Sequence, residues 1–131
     1  MRADCHMHTY FSGDSEAKPE DMVLAAIDKG LEAICFTDHE DIDYFCDDIE
    51  FVFDPEIYFK ELGALKEKYK EKLDIRIGVE FGLQPHLAKK AKAFTAANPY
   101  DFVIGSMHVV GGKDPYYPEF FEGISDEEAY R

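Results

Sequence analysis

Basic residues are scarce in this chain of 131 residues: 14 Lys and Arg stand against 28 Asp and Glu, a formal net charge of −14. Such an imbalance repels nucleic-acid phosphates and anionic lipid, so it argues against direct binding to either. Cysteine is scarce as well. Cys5, Cys35 and Cys46 form an odd set without C-x-x-C spacing, which excludes a disulfide framework and fits a reduced, cytoplasmic setting. No stretch approaches the roughly 20 apolar residues of a membrane span, and the N-terminus reaches Arg2 and Asp4 without the apolar core of a signal peptide. What remains is 46% hydrophobic and 15% aromatic, enough for one domain with a core, or part of one, but not for two. The surplus carboxylates read either as a solvated acidic surface or as ligands for cations.

Residues 2–8 alternate with a period of two, which predicts a strand carrying Ala3, Cys5 and Met7 on one side and Asp4, His6 and His8 on the other. Pro19 at a first helical position, Glu20 and Asp21 in the first turn, and Gly30 past the last turn bound a helix. A second strand, AICFT from Ala33 to Thr37, delivers Asp38 and His39 at its end, and the acidic stretch from Glu40 to Glu50 is expected to loop. Asp54 and Pro55 start a second helix whose Tyr58, Leu62, Leu65 and Tyr69 form one buried stripe. A third strand, Ile75 to Val79, has Gly78 as a sign of close backbone approach and Glu80 at its exit. A helix from about His86 to Ala97 ends at Asn98 and Pro99, and a fourth strand, Phe102 to Ser106, presents His108 just beyond it.

Four strand-then-helix units predict an α/β fold of parallel strands, with the chemistry at their C-terminal ends. About 250 residues close such a barrel, so this length supplies about half, leaving the fourth strand as an edge open to self-association unless a partner covers it. Ser125 and Glu128 form a capping box three residues before the end, so the sequence is expected to be cut inside an element.

Singly, the polar residues at those strand ends have plain explanations. An H-x-H pair on a strand is more often structural, an Asp-His pair can be a turn or cap, Glu80 a surface carboxylate, and His108 a hydrogen-bonded histidine near the core. Jointly, His6, His8, Asp38, His39, Glu80 and His108 gather imidazole nitrogens and carboxylate oxygens on one rim, the donor set that divalent zinc, manganese or iron requires. Asp14, in the first strand-to-helix loop, reads equally as a ligand or as a turn residue. His86 faces the same end but reads at least as well as an exposed residue at a helix start. Cys5 and Cys35 are read as small core residues, and Gly111-Gly112-Lys113 as a flexible loop in preference to a phosphate cradle.

The segments Asp4-Cys5-His6-Met7-His8-Thr9, Phe36-Thr37-Asp38-His39, Gly78-Val79-Glu80 and Ser106-Met107-His108 resemble the polymerase-and-histidinol-phosphatase (PHP) superfamily. GVEFGLQPH from Gly78, SMHVVGGKDPYYPEFFEG from Ser106 and SDEEAYR from Ser125 look most like its histidinol-phosphatases, along the full length of the chain. The resemblance implies a distorted (β/α)7 TIM-like barrel with up to three divalent metals at its C-terminal rim. By that similarity His6 and His8 hold one metal, Glu80 bridges it to a second held by His108, and His39 with Asp14 holds the third. Asp38 and Glu80 are then the residues tied to catalysis, Asp38 by orienting ligands. The family also uses a further histidine and a late Asp-x-His, neither of which lies within residues 1–131, so an incomplete site is expected. The implied activity is hydrolysis of L-histidinol phosphate in histidine biosynthesis. The rivals are another small phosphate ester or phosphotyrosine as substrate, and a metal-binding remnant without catalysis.

Overall fold

A computed structural model of the chain describes residues 1–44 and 51–129. Cys46 and residues 45–50 of the acidic stretch lie outside the described residues, as do residues 130 and 131.

Five strands form one parallel sheet. Strand β1 (Ala3–Met7) pairs with β2 (Ala33–Phe36). The chain is interrupted at Thr37 and Asp38 and then resumes the same line as β3 (His39–Glu40). Both β2 and β3 lie against one side of β4 (Asp74–Gly82), through pairs such as Phe36 with Ile77 and His39 with Glu80. The other side of β4 pairs with β5 (Phe102–Ser106), Glu80 opposite Ile104. Sequential neighbours are therefore spatial neighbours, the order from which a (β/α) barrel is wound.

Strand β4 runs nine residues, longer than the sequence pattern suggested, because neighbours on both sides satisfy its backbone groups along its length. Glu80 thus lies within the strand and not at its exit. His39 is likewise part of a strand, the short β3.

Between the strands run α1 (Pro19–Asp28), α2 (Pro55–Tyr69) and α3 (Ala88–Ala97). Helix α2 is capped as its sequence demands: the Asp54 carboxylate accepts from the backbone N–H of Glu56 at 2.8 Å and of Ile57 at 3.4 Å. Its stripe of Tyr58, Leu62, Leu65 and Tyr69 is buried and joins Val23 and Ala26 of α1 and Ile34, Phe36, Ile75 and Ile77 of the sheet in one core. Helix α3 begins with a 3-10 turn at Pro85–Leu87, so His86 precedes the α-helix proper. The last short helix, α4 (Asp126–Ala129), opens on the expected reciprocal box, with Ser125 N–H donating to Glu128 at 3.0 Å and Glu128 N–H to Ser125 Oγ at 3.4 Å. Among the described residues no helix is long and apolar enough to cross a membrane.

The sheet has two open sides, not one. Strand β5 exposes Phe102 and Val103, and β1 is exposed from Ala3 to His6, with only its final residue, Met7, reaching the core. Cys5, expected in the core, is exposed for that reason: alternation puts it on the opposite face from His6, but on an edge strand that face is not covered. Cys35 on the inner β2 is buried as expected. Gly111-Gly112-Lys113, expected as a flexible loop, forms a tight two-residue turn. Both glycines have positive φ (58° and 79°), and Val110 and Lys113 exchange backbone hydrogen bonds across it.

One feature packs the strands closely and another ties the sheet to α2. A Cβ at Gly78 would fall 2.7 Å from the Phe102 carbonyl oxygen, 2.9 Å from Cys35 Sγ and 3.1 Å from the Phe36 carbonyl oxygen, so backbone on both sides demands glycine there. The hydroxyl of fully buried Tyr58 donates to the Gly78 carbonyl at 3.1 Å and accepts from the Asp38 N–H at 3.4 Å. Gly78→Ala is expected to lower stability in denaturant unfolding by about 1–3 kcal/mol through overpacking. Gly63→Ala, where a Cβ meets nothing within 4 Å inside α2, should raise it by up to about 1 kcal/mol. Tyr58→Phe should cost about 1–3 kcal/mol by stranding two buried backbone groups. A Gly78→Ala chain as stable as its parent would disprove the close-approach argument.

Candidate metal centre

Glu80 is the hub. Its position on the innermost strand leaves the residue 3% exposed, and its two carboxylate oxygens face opposite flanks of the sheet. Oε2 is 2.9 Å from His6 Nε2 and 2.9 Å from His8 Nε2, both brought in by β1 and the residue that follows it. Oε1 is 3.1 Å from His108 Nε2, just past β5, and accepts from Ser106 Oγ at 2.6 Å. His39, opposite Glu80 across the β3–β4 pair, has Nδ1 3.7 Å from Oε2.

Asp14 reaches back from the β1–α1 loop, its Oδ2 3.1 Å from His8 Nδ1 and 3.5 Å from His39 Nε2. The structure thus brings this carboxylate beside His8 and His39. Three overlapping groups result, each with one donor atom per residue within 4.8 Å of the others: His6, His8 and Glu80; His8, Asp14 and His39; His39, Glu80 and His108. They line a cavity of about 550 Å³ together with Asp41, Tyr44, Asp114, Tyr116 and Tyr117, a size suited to a small molecule.

The electrostatics of the cluster are those of carboxylates held among imidazoles. Burial works against ionisation of Glu80, but hydrogen bonds from His108, His8, Ser106 and His6 outweigh it and hold the carboxyl far below the usual range. The hydrogen bonds of His108 to Asp41 and Glu80 push that imidazole up to about 10, and the bond to Glu80 raises His8. A divalent cation suits the same place, since the donors are imidazole nitrogens and carboxylate oxygens of the kind zinc binds. The buried Nδ1 of His39 and Oδ1 of Asp41 have no hydrogen-bond partner, so the polar network is not closed by protein alone.

Asp38 stands apart from this cavity. It is fully buried, and its Oδ1 accepts from Thr9 N–H at 2.5 Å, Thr9 Oγ1 at 2.9 Å and Ser12 Oγ at 3.1 Å. Ser12 Oγ in turn accepts from the His39 N–H at 2.8 Å. The side chain therefore clamps the loop carrying Asp14 to the strand carrying His39. His86 lies outside the cavity lining and pairs with Asp43 at 3.1 Å on the exposed surface, as the plainer reading of it held. Lys113 turns to the Glu119 carbonyl at 3.2 Å.

Sequence reasoning missed Asp41 and Ser106. Both could have been found by extending the strands, since Asp41 lies two residues after His39 and Ser106 two before His108, on the same faces in extended chain. It also missed the Tyr44, Asp114, Tyr116 and Tyr117 wall, which no periodic signal marks. There Tyr44 donates to Asp114 Oδ2 at 2.6 Å, and the Tyr116 N–H to Asp114 Oδ1 at 2.7 Å.

Comparison with known proteins bears on this arrangement. The histidinol-phosphatase of Lactococcus lactis subsp. lactis is 37% identical over 131 residues, covering 99% of this chain and 48% of that protein. A probable histidinol-phosphatase of Clostridium acetobutylicum is 33% identical over 130 residues, with the same coverage, 99% and 48%. A crystal structure of histidinol phosphate phosphatase from Lactococcus lactis, complexed with zinc, L-histidinol and phosphate, superposes with a TM-score of 0.91 at 37% identity, over 98% of this chain and 48% of that one. The chain thus spans about half the length of the relatives it matches. The parallel strands form a curled half-barrel of the TIM-like kind, the fold expected from the sequence. The PHP domain matches residues 4–131, and the chain belongs to that family.

Proposed function

We propose that the chain carries part of the site of a metal-dependent phosphoesterase that hydrolyses L-histidinol phosphate. The observation that carries this reading is Glu80: one buried carboxylate within hydrogen-bond distance of three histidines, His6, His8 and His108, that arrive from two other strands. Similarity to histidinol-phosphatases of known sequence and structure supports the substrate, and the cavity of about 550 Å³ has room for a small phosphate ester.

In this reading His6, His8, Asp14, His39, Glu80 and His108 would hold zinc, manganese or iron, up to three ions in all. When bound, such ions supply positive charge for the phosphoryl oxygens and a hydroxide at neutral pH. The chain's own part is to fix the donors. Glu80 presents both oxygens, locked on one side by Ser106, and Asp38 acts behind the ligands by holding the Asp14 loop against His39. A net charge of −14 and an odd set of three cysteines support a cytoplasmic protein that does not bind nucleic acid.

Zinc uptake by the chain, measured by equilibrium dialysis, is expected to fall in Glu80→Gln and His8→Ala by more than the roughly 100-fold that marks loss of an outer partner. Phosphate release from L-histidinol phosphate should require divalent metal, exceed release from phosphotyrosine, and disappear on chelation and in both variants. Undiminished release from Glu80→Gln after exhaustive chelation would refute the reading. With six ligands for up to three ions, turnover by these residues alone is expected to be slow.

A further inference from the structure

Asp41 is the one buried carboxylate at the cavity that neither the sequence reading nor the proposed ligand set uses. It lies just after β3, its side chain is 5% exposed, and its backbone N–H donates to the Phe51 carbonyl at 2.7 Å. Its Oδ2 is 2.7 Å from His108 Nδ1 and 3.6 Å from His39 Nδ1. Its other oxygen is pressed against β4 at Gly82, where a Cβ would fall 2.5 Å from Oδ1 and 2.8 Å from Cγ. The carboxylate is therefore wedged in one place, and glycine at position 82 makes the room for it.

That place is informative because each imidazole has two nitrogens. On His108, Nδ1 faces Asp41 while Nε2 faces Glu80 at 3.1 Å. On His39, Nε2 faces Asp14 at 3.5 Å, while Nδ1 lies 3.6 Å from Asp41 and 3.7 Å from Glu80 Oε2, beyond a hydrogen bond to either. In the His108 ring the nitrogen bonded to Asp41 is opposite the nitrogen turned to a proposed ligand. A carboxylate that accepts the proton of one ring nitrogen fixes ring orientation and tautomer, leaving the lone pair of the other free for a cation.

We propose that Asp41 is a positioning residue that orients His108, so that a buried carboxylate just after β3 sets the Nε2 atom of a histidine that follows β5 toward the metal cavity. The inference rests on the metal reading above. A ligand role for Asp41 would instead use Oδ1, the oxygen without a hydrogen-bond partner.

The test is zinc titration of the chain against a chromophoric chelator, for the parent, Asp41→Asn and Asp41→Ala, with ring-nitrogen NMR of His108 and melting of the zinc-free proteins. Zinc affinity is expected to fall about 10- to 100-fold in Asp41→Ala at unchanged stoichiometry, with Asp41→Asn between, because its amide oxygen still accepts. The parent should show an exchange-protected His108 Nδ1–H that Asp41→Ala loses while its zinc-free melting stays near the parent's. If Asp41→Ala fails to fold, Asp41→Asn and the parent's Nδ1–H decide the matter alone. Parent affinity in a folded variant overturns the inference and leaves the metal reading standing, as does absence of the protected proton. Loss of a whole equivalent of zinc overturns it too, by making Asp41 a ligand. A parent that takes up no zinc ends both.

Discussion

A carboxylate removed from water among imidazoles is the constraint around which this fold is arranged. Stripping water from an ionised Glu80 costs several kcal/mol unless partners return the lost interactions. The sheet returns them through hydrogen-bonding atoms on both oxygens, from His6, His8, Ser106 and His108. Because those partners belong to β1, β4's other neighbour β5 and the segments that follow each, the cluster forms only when the strands are in register. The pairing of His39 with Glu80 and of Glu80 with Ile104 is thus a condition of the chemistry as well as of the sheet. A shift of one residue would turn Glu80 to the opposite face and leave the histidines without it.

Behind this cluster lies a second set of polar contacts with a different task. Asp38 gathers Thr9 and Ser12, Ser12 receives the His39 N–H, and Tyr58 joins the Asp38 N–H to the Gly78 carbonyl. None of these contacts reaches the cavity. They fix the loop that carries Asp14 and the break between β2 and β3, so the side chains of the cluster rest on buried, hydrogen-bonded backbone. Precision at such a site comes from this supporting layer, since ligands on unsupported loops wander.

The sequence made much of this legible, for physical reasons that also explain the failures. Period-two alternation placed His6 and His8 on one face, and the helix stripe of Tyr58, Leu62, Leu65 and Tyr69 came out buried, because both signals are local. Cys5 was misread because alternation says which face a side chain takes, not whether anything covers that face. The length of β4 and the existence of β3 were hidden because they depend on neighbours distant in the chain. Gly111-Gly112 supplied the positive φ values of a hairpin turn, a cue outweighed by the absence of strong strand signals around it. Asp41 was lost in a run of acidic residues, where nothing but three-dimensional placement separates a buried carboxylate from a solvated one.

Exposure across the cluster is graded, and the grading follows from strand position. The side chain of His6, on the edge strand β1, is 55% exposed, that of His8 18%, that of His39 11% and that of Glu80 4%. Buried imidazoles flanked by Asp14 and Asp41 have little freedom to turn, so donors on the His39 side are held in place before anything binds. The His6 ring, on the strand with fewest neighbours, meets Glu80 Oε2 through Nε2 at 2.9 Å while most of its other side lies in water. The cluster is thus most open at its β1 flank and most enclosed on the inner strands.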